Sequence, residues 1–196
     1  MLRCRDRTDL TLTTTIPTSS RRRRWTYADY CKIPPDRKRH EIIDGRHFVN
    51  PGPSHYHQKL ALRLADEFLD CIERPGLGDV TIAPFDVHLG RGTLVQPDIV
   101  VVTAKNLSLV GDKKLTGVPD LLVEVISPSR PNYDRRTKRQ RYERAGAPES
   151  WIVDPVARCI EQYVLRDGEY GSPVVCTASI RLHVLRGITI DLERIW

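Results

Sequence analysis

Residues 121–129 read LLVEVISPS, an apolar run interrupted by one carboxylate, Glu124. Leu121, Leu122, Val123, Val125 and Ile126 fill both alternating sets of a period-2 strand, so the run reads as a strand covered on both faces. A charge buried there without a partner is costly, so Glu124 needs a counter-charge or a cation. QPDIVVV at 96–102 poses the same question at Asp98. Pro97 is tolerated at the first residue of a strand, and position alone makes Asp98 a turn residue. If the two strands are neighbours, both carboxylates project from one edge of the sheet toward a common point. That arrangement suits Mg²⁺, which takes one or two carboxylates plus waters and phosphate oxygens. The plainer reading is a capped loop Asp and an ion-paired Glu, since structural ion pairs are common.

Upstream of these strands, TYADYCKIPPDRKRHE predicts a short helix and a Pro-rich turn, and EIIDGRHFVN a two-residue hairpin at Asp44-Gly45. From Ser54 to Glu73, Ala61, Leu64, Ala65, Phe68 and Ile72 form one helical stripe, ended by Pro75-Gly76. DVTIAPFDVHLG, QPDIVVVT and LLVEVIS then follow as strands. A helix is predicted from about Tyr133 to Ala145, with Asn132 or Asp134 near its cap and Gly146 past its end. SWIVDP and CIEQYVLRDGEY supply further strands, and short strands return up to Trp196. This order predicts an α/β (α+β) fold with a mixed central β-sheet flanked by helices and an N-terminal hairpin. One domain over 25–196 accommodates it.

Charge is unevenly placed. The chain of 196 residues carries +6, and residues 1–24 hold seven Arg against two Asp, so +5 belongs to a basic arm expected to be disordered. Residues 130–144 hold seven Lys or Arg against Asp134 and Glu143. The five Cys are odd in number and form no CxxC pair, which favours reduced thiols and a cytoplasmic setting and argues against structural zinc. No stretch approaches the ~20 apolar residues of a membrane helix, and the N-terminus lacks the apolar core of a signal peptide.

In NYDRRTKRQRYERAG, Asp134, Lys138 and Tyr142 are spaced i, i+4, i+8 and share a face with Ala145. The helix begins soon after the Glu124 strand, so that face can fold back over the strand end. An ammonium there could steady a metal-bound hydroxide or a scissile phosphate. The competing reading is a solvated basic helix with a weak Asp134–Lys138 surface pair.

PPDRKRHEIIDGRHFVNPGPSHYHQ, QPDIVVV, LLVEVISPS and YDRRTKRQRYERAGAPESWIVDP together resemble the Uma-two family, a group labelled restriction endonuclease within the PD-(D/E)XK nuclease-like superfamily. The resemblance spans about residues 25–170. It implies a restriction-endonuclease-like core of four mixed strands flanked by helices, and hydrolysis of phosphodiester bonds with Mg²⁺ or Mn²⁺. The motif Asp maps to Asp98 and the second acid to Glu124, the two implied metal ligands. The superfamily's Lys usually stands two residues after that acid, where this chain has Ile126. The family pattern moves it to the next helix, which nominates Lys138. Glu41 resembles the acid preceding the family's first hairpin, a third candidate ligand that reads equally well as an edge-strand charge. His57 shares the apolar stripe and reads as a core histidine, Tyr142 as packing and Trp151 as core. Asp154 before Pro155 reads as a turn residue, and His40, His47, His55 and His88 show no metal-ligand spacing.

Three functions remain open: a Mg²⁺-dependent endonuclease acting on DNA, with Asp98, Glu124, Lys138 and Glu41 catalytic; a non-cleaving nucleic-acid-binding or regulatory module that keeps the fold; and an interaction domain whose arm contacts acidic proteins. A homodimer is implied only by resemblance.

Overall fold

The computed structural model describes residues 23–36, 38–90, 92–127 and 133–196, with the backbone alone for 133 and 134. The basic arm therefore lies outside the described residues except for Arg23 and Arg24, as does the Asn132 cap. The elements are α1 (Tyr27–Tyr30), β1 (Arg39–Ile43), β2 (Arg46–Asn50), α2 (His55–Phe68), β3 (Gly78–Ile82), β4 (Asp86–Gly90), β5 (Thr93–Val95), β6 (Ile99–Thr103), β7 (Lys114–Thr116), β8 (Leu121–Val125), α3 (Arg139–Ala145), β9 (Glu149–Asp154), β10 (Cys159–Arg166), β11 (Glu169–Tyr170), β12 (Val174–Cys176), β13 (Ser179–Arg181) and β14 (Thr189–Asp191).

The central sheet runs β11-β10-β9-β8-β6-β3, with β12 beside β10. It is mixed: β8 is antiparallel to β6 and parallel to β9. Each central strand is buried along its length except for Asp154, the last residue of β9. Alternate residues serve two cores. Ile99, Val101, Leu121, Val123, Trp151 and Val153 pack beneath the α2 stripe of Leu60, Leu64 and Phe68. Val100, Val102, Leu122, Ile126 and Ile152 join Val87, Val95, Leu115 and Tyr142 on the other side. That second face is covered by α3 and by a five-stranded sheet, β2-β1-β5-β4-β7.

This second sheet absorbs the expected hairpin. Asp44 and Gly45 both have positive φ (51° and 76°), the I′ turn that an Asp-Gly pair favours. The run DVTIAPFDVHLG divides at Pro84 into β3 and β4, which belong to different sheets. Proline has no N–H for a ladder, so the strand cannot continue through it. Asp167-Gly168 repeats the I′ geometry between β10 and β11 (φ 52° and 85°).

Beyond β12 the chain packs Ile180, Leu182, Ile190, Leu192 and Ile195 into the first core. A fully buried carboxylate on β9 fixes this segment. Glu149 accepts hydrogen bonds from Trp151 Nε1 (2.7 Å), Gln162 Nε2, and the backbone N–H groups of His183 (2.8 Å) and Val184 (3.0 Å). Asp154 closes the β9–β10 turn by accepting from the N–H groups of Val156 and Ala157, each at 2.9 Å.

Candidate active site

The register of β6 against β8 pairs Ile99 with Val123 and Val100 with Leu122. Extended by one residue, it sets Asp98 opposite Glu124, with both on the side of the second core. The structure buries both, Asp98 at 3% and Glu124 at 0% exposure, so neither is a surface turn charge.

Each is held by a different cation. Lys138 Nζ stands 2.9 Å from both Glu124 carboxylate oxygens and 2.9 Å from Glu41 Oε1, and its side chain is wholly buried. The solvated-helix reading of Lys138 is therefore overturned. A turn of wider helix over Tyr133–Lys138 leads into α3 and carries Lys138 inward. Tyr142, one turn on, donates its hydroxyl hydrogen to Glu124 Oε1. Asp98 takes Arg39 Nη1 on Oδ1 (2.8 Å), and His57 Nε2 (3.0 Å) and the Val125 N–H (2.8 Å) on Oδ2. Burial alone would raise the Asp98 carboxyl. The His57 hydrogen bond and the Arg39 charge outweigh it and hold the group at about 2. Burial likewise works against the Arg39 charge, yet Asp98, Glu124 and Glu41 together raise its pKa.

Glu41 is fully buried on β1, an inner strand between β2 and β5, so the edge-charge reading also fails. It accepts from the Gln96 N–H (2.8 Å) and from Asn50 Nδ2. Gln96 in turn donates through Nε2 to Asp86 Oδ1 (2.8 Å), which also accepts from Tyr30 (2.8 Å), tying α1 to the site.

The three nominated acids thus gather around Lys138, the fourth nominated residue, and Arg39. Arg39, His57, Tyr142, Gln96 and Asn50 enter the site without having been nominated. Arg39 was findable, because it stands two residues before Glu41 on one strand face. His57 was placed in the core correctly, but on the carboxylate instead of among apolar side chains. Nothing in the spacing marks Asn50 or Gln96.

No group of three or more His, Cys, Asp or Glu among the described residues is arranged to enclose a metal ion. The donors are nevertheless carboxylate oxygens without thiolate, the chemistry a hard divalent cation prefers. Arg39 Nε, His57 Nδ1 and Gln96 Oε1 are buried without hydrogen-bond partners, and all three belong to residues touching Asp98 or Glu41. Orphaned polar atoms of this kind mark room for water or ligand oxygens. The carboxylate oxygens fit such an ion, and the Arg39 N–H calls for an acceptor such as water or a phosphate oxygen.

A family model described as Uma2, "Putative restriction endonuclease", matches residues 27–193. The chain belongs to the Uma-two family. A solved structure titled as a "putative nuclease belonging to DUF820" from Anabaena variabilis superposes with a TM-score of 0.73 at 14% identity, covering 87% of this chain and 97% of that one. At that identity the likeness carries the fold, a mixed nuclease-like core. No curated protein matches the chain. Among the described residues of this Uma-two protein, no helix is long and apolar enough to cross a membrane.

Proposed function

We propose that this chain is a Mg²⁺-dependent endonuclease that hydrolyses phosphodiester bonds of DNA, with 25–196 as its nuclease domain and the basic arm adding contact to the phosphate backbone. The observation that carries the reading is Lys138 Nζ at 2.9 Å from Glu124 and from Glu41, since a lysine missing beside the second acid is supplied there from the following helix. Asp98 and Glu124 would hold the ion, with Mn²⁺ as a substitute. When bound, the ion supplies Lewis acidity and a more acidic water.

The remaining work falls to side chains. Arg39 and His57 keep Asp98 ionised at neutral pH, and Tyr142 fixes one oxygen of Glu124. Glu41 holds the Lys138 ammonium in place, and once an ion takes up Glu124 an N–H of Lys138 would be released toward the charge that develops on a phosphate oxygen. Purified protein should nick supercoiled plasmid with Mg²⁺ and stop on chelation. Lys138→Ala should slow nicking at least about tenfold. Arg139→Ala, whose guanidinium lies over the Tyr163 ring, should nick at close to the wild-type rate. Equal nicking by Lys138→Ala and the wild type would end this assignment.

A second reading, a non-cleaving nucleic-acid-binding module, draws on one observation. Glu41, Asp98, Glu124 and Lys138 are all at most 3% exposed and engaged with one another or with Arg39 and His57. Absence of nicking together with retained DNA affinity would favour it. A homodimer and a cytoplasmic location remain parts of the proposal, to be read from sedimentation and from localisation of the full chain.

A further inference from the structure

On the outer side of the β1–β2 hairpin Trp25 stacks on one ring of a hydrogen-bonded histidine pair. His47 lies on Trp25 with centroids 4.2 Å apart and 27° between planes, and His40 lies beside His47, nearly coplanar with it at 7° and 5.1 Å. The rings are held in place by hydrogen bonds. His40 is hydrogen-bonded through both ring nitrogens, to Asp36 Oδ1 (2.8 Å) and His47 Nε2 (2.9 Å), while the Trp25 N–H donates to the Gly45 carbonyl (2.9 Å). Trp25 and His47 line a groove of about 470 Å³ together with Arg23, Asp29, Lys32, Ile33 and Pro34. That volume lies within the ~300–1,000 Å³ of small-ligand clefts.

The lining separates by chemistry. Trp25, Ile33 and Pro34 offer an apolar slot beside the His47 ring, whereas Arg23 and Lys32 are exposed at the rim. The Asp29 carboxylate is already taken by the Thr26 N–H, the Thr26 hydroxyl and Arg23. A flat apolar slot with cations at its mouth is complementary to an aromatic ring that carries a phosphate. Arg23, at this rim, belongs to the Arg21–Arg24 run of the sequence.

We propose that the groove is a subsite for an unpaired nucleobase of single-stranded DNA, stacked against Trp25, itself packed on His47, with its flanking phosphates against Lys32 and Arg23. Every base has a π-face, so such a platform binds without sequence preference. The fixed rings also lower the ordering cost of binding. By strand alternation His40 and Ile42 point away from the face that carries Arg39 and Glu41. The subsite therefore lies across the hairpin from the candidate active site and deepens the nucleic-acid reading by naming unpaired DNA as the form held. It rests on that reading.

The test uses the full chain in chelator, so that no cleavage occurs, and fluorescence anisotropy of a labelled 12-nucleotide single strand beside an abasic strand of equal length. The wild type should bind the base-bearing strand about tenfold to a hundredfold more tightly, the gain expected of one stacked base. Its tryptophan fluorescence should be quenched on binding. Trp25→Leu should bind the two strands equally, whereas Trp25→Phe should keep most of the preference. A preference for bases that survives in Trp25→Leu, with its melting temperature unchanged, would overturn the subsite. So would unchanged DNA binding accompanied by a lower sedimentation mass, which would make the groove a contact between two copies. A wild type that discriminates bases yet never nicks plasmid with Mg²⁺ leaves the subsite standing and removes only the nuclease reading.

Discussion

Lys138 is wholly buried against carboxylate oxygens of Glu124 and Glu41, so its ammonium bears on stability. Removing one partner of a buried ion pair costs about 3–5 kcal/mol, because the remaining charges lose compensation without regaining water. Lys138→Ala should therefore melt well below the wild type in chelator. Mg²⁺ should raise its melting temperature more than it raises that of the wild type, since an ion that binds only the folded state stabilises it. A variant as stable as wild type in chelator would contradict the ion-pair geometry. Asp98 makes a separate pH prediction. Its folded pKa of about 2 lies below the ordinary value of about 3.9. Its contribution, of the order of 2 kcal/mol, is present in full above about pH 4 and is lost as pH falls through 2. Urea midpoints in chelator should fall more between pH 5 and pH 2.5 for the wild type than for Asp98→Asn. At this scale the two central acids were legible because they interrupt apolar runs. Lys138 was legible through its i, i+4 relation to Tyr142 and the family pattern. Arg39 and His57 were not, since which cation reaches Asp98 depends on how β1 and the first turn of α2 are brought to it.

Elements were read well where period and turn chemistry agree. The α2 stripe, the Asp44-Gly45 turn and the Gly146 stop after α3 all appear as expected, with Gly146 left-handed at φ 83°. The five-stranded sheet was not read, because β5 and β7 have three residues each, too short for a period to show. The long-range pairings of β5 with β1 and of β4 with β7 leave no local mark. Gly78, at the start of β3, is required by close approach to its neighbour β6. A Cβ added there would lie 2.3 Å from the Val102 carbonyl oxygen, backbone that cannot swing aside. Gly78→Ala should cost about 1–3 kcal/mol in urea unfolding, the range for overpacking a tight site. Gly171→Ala, with open space around it, is the control. Equal midpoints for the two variants would show that β3 can draw away from β6 without loss.

Across the whole molecule, the charge map separates into an arm of +5 and a body that is nearly neutral. Deleting residues 1–22 spares the Trp25–Gly45 bond and should leave the melting temperature unchanged. DNA affinity should drop and the dependence of log Kd on log salt should flatten, because fewer counterions are released. An unchanged slope would remove the arm from the interface. The body's own basic surface over 130–144 was legible as a run of charge, though Lys138 within it has been drawn inside and Arg135 is paired with Asp154 and Glu161. The Glu149 cluster ties assembly to the order of synthesis. This carboxylate sits on β9, the strand that flanks the Glu124 strand, and three of its four partners, Gln162, His183 and Val184, are synthesised after the whole of β9. Until they arrive, β9 cannot be buried without stranding a charge. Burial of β9 is in this way tied to the arrival of the segment beyond β12.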